Sequence, residues 1–595
     1  MSGSNSYLRT YYENKDKPIK ILFGLYKGNY GLLLLSALFY LIKHSPAWVF
    51  PLVTANVLNA LSEGAGNVRG VVLRNLALAG GLVILNIPMN YLHVRCRSKV
   101  LRRVEAGLRS AIVEKLQQLS ITYHNEMQSG RLQSKMIRDV EAVQTLSEQL
   151  FVSMLNIIIN IGVALAVTAF KNMTVFVFFL LTIPAASIFI RIFRRPIESK
   201  NRAFRHEMEK TSAEFMEMEE MIEITRAHAL EDVEMKRMKQ QAQLVADEGY
   251  RLDIIQANFG AVSWAIFQFF QLFTLGFSAS LVIRKLMPVG NLVLYQNYFT
   301  MLVNQVTAVI SLVPIISRGL ESIRSIGEVL VSQDVEDYEG KKPLEDVEGA
   351  FRMDNVSFRY GEDEDWVLED FSLDVKAGET VAAVGSSGAG KTTLMNLLIG
   401  FIKPTRGKIY IDGQDAERID YRSFRRHLAI VPQNSILFSG TIRENISYGN
   451  PDIPDARIME ACRAASLESF IKDLPEGLDT YLSENGANLS GGQRQRLSIA
   501  RALVRQPKVI IFDEATSALD SLSEKAVLDA LDRLIEGRTA FIVAHRISTI
   551  RKADTIIVLQ DGHIAEIGNY DELMAMKGQF YTMQQIQSGE ISDEN

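Results

Sequence analysis

GSSGAGKTT, residues 385–393, follows the apolar run TVAAVG (380–385) and precedes LMNLLIG (394–400). A strand, a glycine-rich loop and a helix in that order make a cradle for phosphate. The glycines let backbone N–H groups close around phosphate oxygens, and the start of the helix adds its positive end. Gly385 and Gly390 bracket four residues, Lys391 reaches for the β and γ phosphates, and the Thr392 hydroxyl suits Mg²⁺. Such a loop decides for an α/β nucleotide-binding fold in the second half of the chain. The first half needs a different solvent.

At 595 residues the chain is too long for one domain, and 47% of it is hydrophobic. The apolar residues crowd before about residue 317, whereas the remainder has the mixed composition of a soluble domain. A formal net charge of −5 argues against a nucleic-acid partner, which would call for a basic face. Cys96 and Cys462 lie far apart on what reads as the cytoplasmic side, so a structural disulfide is not expected. The polar start MSGSNSYLRTYYENKDK has no apolar core and no small-residue cleavage site, so membrane insertion is read from internal spans.

Crossing about 30 Å of hydrocarbon takes roughly 20 helical residues. Six spans qualify, at about 28–62, 71–94, 147–170, 172–192, 256–283 and 287–317. Lys171 closes the third and Arg191 the fourth, while Arg284 with Lys285 separates the last pair, so these form hairpins. The long segments 95–140 and 191–253 are dense in Lys and Arg, and the opposite connections are short. By the positive-inside rule, both termini and the ATPase half are expected in the cytoplasm. Within 100–119, VLRRVEAGLRSAIVEKLQQL repeats apolar positions at three and four, which predicts helices running well past the bilayer. PIKILFGLYK (18–27) predicts a short helix lying in the membrane interface. The expected fold is a six-helix membrane domain over 1–330, an acidic linker at 331–349, and an α/β P-loop ATPase domain over 350–595.

In that second domain, FRMDNVSFRY, TVAAVG, KIYIDG, LAIVP, VIIFDE, TAFIVAH and TIIVLQ read as strands alternating with helices. VIIFDE ends in Asp513, a carboxylate at the edge where ligands of such sheets bind, suited to the Mg²⁺ shell. Glu514 is placed to polarise a water for in-line attack on the γ-phosphate. By itself an apolar run ending in Asp-Glu is more often a strand meeting a solvated turn, and only the phosphate loop beside it turns the reading to chemistry. LSGGQRQRLSIARALV (489–504) opens a long helix with Ser490, Gly491 and Gly492, a second anion-binding helix start with no lysine. Read alone, that is an ordinary capped helix.

Together these motifs resemble an ATP-binding cassette exporter, of the half-transporter type that fuses one membrane domain to one nucleotide-binding domain. The resemblance spans nearly the whole chain. It matches Gly385, Ser386, Ser387, Gly388, Ala389, Gly390, Lys391, Thr392 and Thr393 to the Walker A loop, and VIIFDE to Walker B. Ser490, Gly491, Gly492 and Gln493 match the family signature, and SALD (517–520) matches the loop carrying Asp520. The same resemblance assigns Gln433 in VPQN to the loop that senses Mg²⁺ and the attacking water. His545 in VAHR becomes the switch histidine that meets the γ-phosphate, and Tyr360 in SFRYG the aromatic that stacks on adenine. Glu484 falls where the family places a glutamate that communicates with the membrane domain. Residues 123–140 and 213–232 resemble the two intracellular loops of exporters, each with a short coupling helix.

The resemblance implies ATP and Mg²⁺ as cofactors and hydrolysis coupled to export by alternating access. One chain holds half the machinery, so a second half-transporter chain is implied, a homodimer before a heterodimer because the motifs here are intact. The location it implies is a bacterial cell membrane, with lipid around the spans and an exported substrate of unknown identity. A lipid flippase, an ATP-gated channel or a signalling complex on the same architecture are the alternatives. Two membrane-half questions stay open from sequence. Lys43, beside His44 in the first span, either lines a pathway for an anionic substrate or snorkels to the interface. Asn86, Asn90, Asn156, Asn160, Gln268, Gln271, Gln296, Asn297, Asn304 and Gln305 either line a cavity or tie helices together.

Overall fold

A computed structural model of the chain describes residues 3–63, 67–127, 129–336, 338–361, 363–433, 435–448, 450–513, 521–543 and 550–588. They form two compact units. Met1–Gln118 with Met127–Gln333 make the first, and Leu119–Glu126 with Asp334–Asn595 make the second.

The first unit is helical. Its long helices are Tyr30–Ser62, Val68–Leu116, Leu155–Lys171, Met173–Glu220, Glu231–Ile283 and Gly290–Leu330. Among the described residues, five helical stretches are long and apolar enough to cross a membrane, in Tyr30–Ser62, Val68–Leu116, Gly130–Lys171, Glu231–Ile283 and Gly290–Leu330. The remaining expected span, 172–192, lies within the continuous Met173–Glu220 helix, where the side chains of 182–183 and 185–195 are outside the described set. Val68–Leu116 has 49 residues, which at 1.5 Å each is about 74 Å, so it outruns the hydrocarbon more than twofold. The hairpin turn at Asn172 is set locally, because its side chain accepts from the N–H groups of Thr174 (3.0 Å) and Val175 (3.3 Å) at the start of the next helix.

Two apolar clusters hold these helices. One gathers Val175, Phe179, Leu294, Tyr295, Tyr298 and Phe299. The other joins Val104 and Leu108 to Leu146, Ile323 and Ile326. The short helix expected to lie in the interface is present as Pro18–Leu25, but it buries Ile21, Leu22 and Leu25 in this second cluster. Its packing partner is protein on that side, and Ile19, Lys20 and Phe23 remain outward. Two π-helical turns, Lys135–Asp139 and Gln149–Met154, interrupt the segment leading into Leu155–Lys171.

The second unit contains two main sheets. A six-stranded sheet runs in the spatial order His563–Gly568, Thr555–Gln560, Thr380–Gly385, Thr539–Val543, Val509–Asp513, Leu428–Val431. All its pairings are parallel except the outer one with His563–Gly568. A four-stranded antiparallel sheet holds Leu368–Val375, Phe351–Phe358, Arg406–Ile411 and Gln414–Asp415. The parallel strands are apolar along nearly their whole length because both faces are covered. Ala382, Val384, Ile510, Phe512 and Ile542 point into one core with Leu497 and Ile499 of the Gly491–Leu503 helix. Val381, Ala383, Ile511, Phe541 and Val543 point into the other with Leu394, Leu397 and Leu398 of the Lys391–Ile399 helix. The acidic segment read as a linker is partly core: Leu344 and Val347 are buried, and Lys342–Pro343 pairs with Ile419–Asp420. Leu119 likewise bridges to Val335, and the Ser120 N–H donates to the Asp334 carbonyl at 3.1 Å.

Candidate functional site

The phosphate loop is shaped by backbone. All six residues of Thr380–Gly385 are buried, and a Cβ at Gly385 would lie 2.5 Å from the Leu559 carbonyl oxygen on the adjacent strand. Only glycine permits that approach. Gly390 takes φ 97°, the left-handed region, and precedes the Lys391–Ile399 helix. Gly390 has no side chain with which to cap that helix, and a helix start without a capping side chain is suited to an anion. Ser386, Ser387, Gly388 and Thr392 are exposed, while Ala389, Gly390 and Thr393 are buried. Lys391 is itself buried, and its ammonium donates to the carbonyls of Gly385 (2.8 Å) and Ser386 (2.7 Å). It therefore spans the mouth of its own loop, where a phosphate would compete for its donors.

Tyr360 borders this loop. Its hydroxyl sits 3.2 Å from Thr393 Oγ1, its ring meets Phe358 edge-on at 4.9 Å, and 55% of the residue remains exposed. An aromatic surface next to a phosphate cradle is what a flat base needs for stacking.

Strand register brings the acidic residue to the same edge. Asp513 pairs with Val543, and Val543 with Ala383, so Asp513 stands two strands from the loop, roughly 10 Å at the usual strand spacing. Val431 pairs with Phe512, which puts Gln433, two residues beyond and exposed, at this carboxyl edge too. The donor set fits Mg²⁺, which keeps waters and phosphate oxygens and takes only one or two protein ligands, here the Thr392 hydroxyl and the Asp513 carboxylate. When bound, that ion would neutralise phosphate charge. Glu514, Asp520 and His545 lie outside the described residues. The strands that precede Glu514 and His545, Val509–Asp513 and Thr539–Val543, both end at this edge.

The signature segment sits elsewhere. Ser490 caps Gly491–Leu503: its hydroxyl accepts from the Gln493 N–H (3.2 Å), and Gln493 Oε1 accepts from the Ser490 N–H (2.8 Å). Gln493 is thus occupied in a capping box. Ser490 and Gly491 are exposed and Gly492 is buried. The helix they open packs in the core on the opposite face of the sheet from the Lys391 helix. Glu484 is exposed and begins a single turn, Glu484–Gly486, ahead of this helix, with Gly486 buried.

Arg501 was not singled out by sequence. Its guanidinium donates to the carbonyls of Asn445 (2.8 Å) and Ile436 (2.9 Å) and lies against Phe438 and Tyr448. It thereby fastens the signature helix to the stretch that follows Gln433. Its signal was only an arginine on the apolar-patterned side of a helix. In the membrane half, some of the polar side chains tie helices and others bond within their own helix. Asn86 donates to the Lys43 carbonyl (2.5 Å), Trp48 donates to Asn160 (2.6 Å), and Gln296 donates to the Gln271 carbonyl (3.0 Å), each between two helices, whereas Asn160 donates to Asn156 (2.7 Å) and Asn297 to the Val293 carbonyl (2.8 Å) one turn away. Lys43 lies near the Tyr40 ring, 5.9 Å from its centroid.

Comparison with known proteins agrees with this geometry. A family model described as ABC transporter transmembrane region matches residues 33–306, and one described as ABC transporter matches residues 368–517. The chain belongs to the ABC transporter family. It has the exporter arrangement in which one membrane region is fused to one ATP-binding domain. A Bacillus subtilis (strain 168) protein, provisionally named as a multidrug export ATP-binding/permease protein, is 32% identical over 563 residues, 92% of this chain and 95% of the relative. An ATP-dependent lipid A-core flippase of Alkalilimnicola ehrlichii is 45% identical over 273 residues, 46% of each chain. A solved structure of a bacterial Atm1-family ABC exporter with ATP bound superimposes with a TM-score of 0.80 at 27% identity, covering 95% of this chain and 99% of that one. Membership in the ABC transporter family carries ATP binding by the second unit and a multi-pass membrane location for the first.

Proposed function

We propose that two copies of this chain form an ATP-driven exporter of a bacterial cell membrane, with the ATPase unit in the cytoplasm, working by alternating access. Each ATP is held between chains. Lys391, Thr392 and the loop around them bind phosphate from one copy, Tyr360 stacks on the base, and Ser490 to Gln493 of the other copy close over it, with Asp520 at the same boundary. Asp513, Thr392 and Gln433 serve Mg²⁺, Glu514 activates water, and His545 meets the γ-phosphate. Glu484 faces the membrane unit. The observation that carries this reading is the placement of the two anion-binding helix starts on opposite faces of one sheet. The names of the relatives support a drug or lipid as cargo.

The test is hydrolysis by the full-length protein in proteoliposomes. Wild type should turn over ATP, and Glu514→Gln should bind ATP yet lose turnover by two orders of magnitude or more, on the order expected for losing a general base. Wild-type rates in that variant would refute the assignment.

A further inference from the structure

The first unit contains a cavity of about 1120 Å³ whose wall changes character along its length. On the Gly290–Leu330 helix the lining runs from Val309, Val313 and Pro314 to Ser317 and Arg318, and ends at Glu328. That stretch covers 19 residue steps, about 28 Å. Ile197 and Phe259 add two more apolar side chains to its wall. Arg202 and Arg205, on the same face of Met173–Glu220 at a spacing of three, line the same cavity as Arg318.

The charges in this wall are not equivalent. Lys135 is buried and bonded to Glu328 (2.7 Å) and to the Ser325 hydroxyl (2.8 Å). Glu321 pairs with Arg324 (3.2 Å), and Asp139 accepts from the hydroxyls of Ser322 (3.0 Å) and Ser325 (2.6 Å). Glu198 also has a partner. Arg202, Arg205 and Arg318 have no carboxylate in ion-pair range among the described residues, and Arg202 reaches only the Glu198 backbone carbonyl at 3.4 Å. The carboxylates are spent on structure, and three guanidinium groups are left facing a cavity that is greasy at the other end.

We propose that this cavity binds an anionic amphiphile: a phosphate or carboxylate headgroup on Arg202, Arg205 and Arg318, with an acyl-type tail against Val309, Val313, Pro314, Ile197 and Phe259. Guanidinium forks suit such headgroups because they offer paired donors. The apolar end belongs to the part of the Gly290–Leu330 helix read as membrane span, so a tail there stays at hydrocarbon depth while the head stays with the charges. The inference rests on the export reading and names the chemistry of its cargo.

The probes are lysophosphatidylglycerol, lysophosphatidylcholine of the same chain length, and glycerol 3-phosphate. Each is titrated against the full-length purified protein, with ATP hydrolysis followed in parallel. The anionic lysolipid should bind at least tenfold tighter than the zwitterionic one and than the headgroup alone. Replacing Arg202, Arg205 and Arg318 together by Gln should erase that preference, each arginine accounting for roughly tenfold, while replacement by Lys should keep most of it. Equal affinity for the two lysolipids, tight binding of glycerol 3-phosphate alone, or a preference that survives the Gln replacements would overturn the proposal. If the triple Gln variant does not fold, the single variants and the charge preference of wild type decide by the same criteria. Hydrolysis without the anionic preference rejects this cargo and leaves the exporter standing, whereas absence of hydrolysis under every lipid condition rejects the exporter itself.

Discussion

Lys391 and Ser490 each stand at the start of a helix, and those two helices pack on opposite faces of the same parallel sheet. Leu394, Leu397 and Leu398 of the first meet Val381, Ala383 and Val543, whereas Leu497 and Ile499 of the second share a core with Ala382, Val384 and Phe512. Because strand side chains alternate faces, one sheet supports two helix starts, and in the proposed dimer these need not serve the same ATP within a chain.

The loop geometry makes two glycines unequal. A methyl at Gly390 would sit 2.9 Å from both Leu368 Cδ2 and the Val367 carbonyl oxygen, in a backbone already at φ 97°; at Gly388, with φ 85°, nothing lies within 4 Å. Gly390→Ala should therefore destabilise the full-length protein by about 1–3 kcal/mol more than Gly388→Ala, since it adds steric overlap to a similar backbone strain. Thermal unfolding of both variants checks this. Equal losses would mean the loop relaxes freely.

Ser490 combines a structural and a ligand role that substitution separates. Ser490→Ala removes the acceptor for the Gln493 N–H and should cost about 1 kcal/mol. Ser490→Asp restores a good cap but sets a negative charge where phosphate is expected. Stability should return to within a few tenths of a kcal/mol of wild type while ATP-dependent dimer closure falls at least tenfold. Closure equal to wild type in Ser490→Asp would remove phosphate from this helix start.

Arg501 tests the link between the signature helix and the segment after Gln433. Arg501→Met strands the carbonyls of Ile436 and Asn445 and should cost about 1–3 kcal/mol. If the link positions catalytic groups, kcat for ATP should fall more than KM rises. A change confined to unfolding temperature would make Arg501 purely structural.

Burial pushes the Cys462 thiol up to about 12 from its usual value near 9. Its folded pKa is the higher one, so the stability it contributes is fully present below pH 9 and is lost as pH climbs toward 12. In a Cys96→Ser background, maleimide should modify folded protein at pH 8 roughly a thousandfold more slowly than unfolded protein, in proportion to the missing thiolate. Rapid native-state labelling would contradict the burial.

Much of the ATPase unit is legible because its signals are local. The seven strands read from sequence all occur, from Phe351–Phe358 to Thr555–Gln560, and the Walker loop falls between its strand and helix. Leu368–Val375 is missed because LEDFSLDV carries three acidic residues and resembles a solvated loop; only pairing with Phe351–Phe358 makes it a strand. Sheet order is not legible, since nothing in TVAAVG says that TAFIVAH and TIIVLQ will be its neighbours. In the membrane unit, spans and their long extensions follow from hydropathy and charge. The arginine cavity does not, because Arg202 and Arg318 are separated by 116 positions and meet only through helix packing. The basic residues of 95–140 and 191–253 serve as orientation markers in sequence, whereas the structure gives them different tasks: Lys135 is a buried crosslink to Glu328, Arg102 and Arg251 pair with carboxylates one turn away, and Arg202 and Arg205 line the cavity. The π turns at 135–139 and 149–154 are likewise products of packing.

The mixed dimer measures the shared site most directly. Lys391→Ala and Ser490→Arg chains are coexpressed with different tags, and dimers carrying both tags are isolated and photolabelled with an ATP analogue. If each site draws Lys391 from one chain and Ser490 from the other, both lesions fall in one site, and the second site is wild type. The mixed dimer should then label at about half the wild-type level while each variant homodimer labels at background. Background labelling of the mixed dimer would mean that Lys391 and Ser490 serve the same chain's nucleotide, and the interfacial mechanism would be wrong.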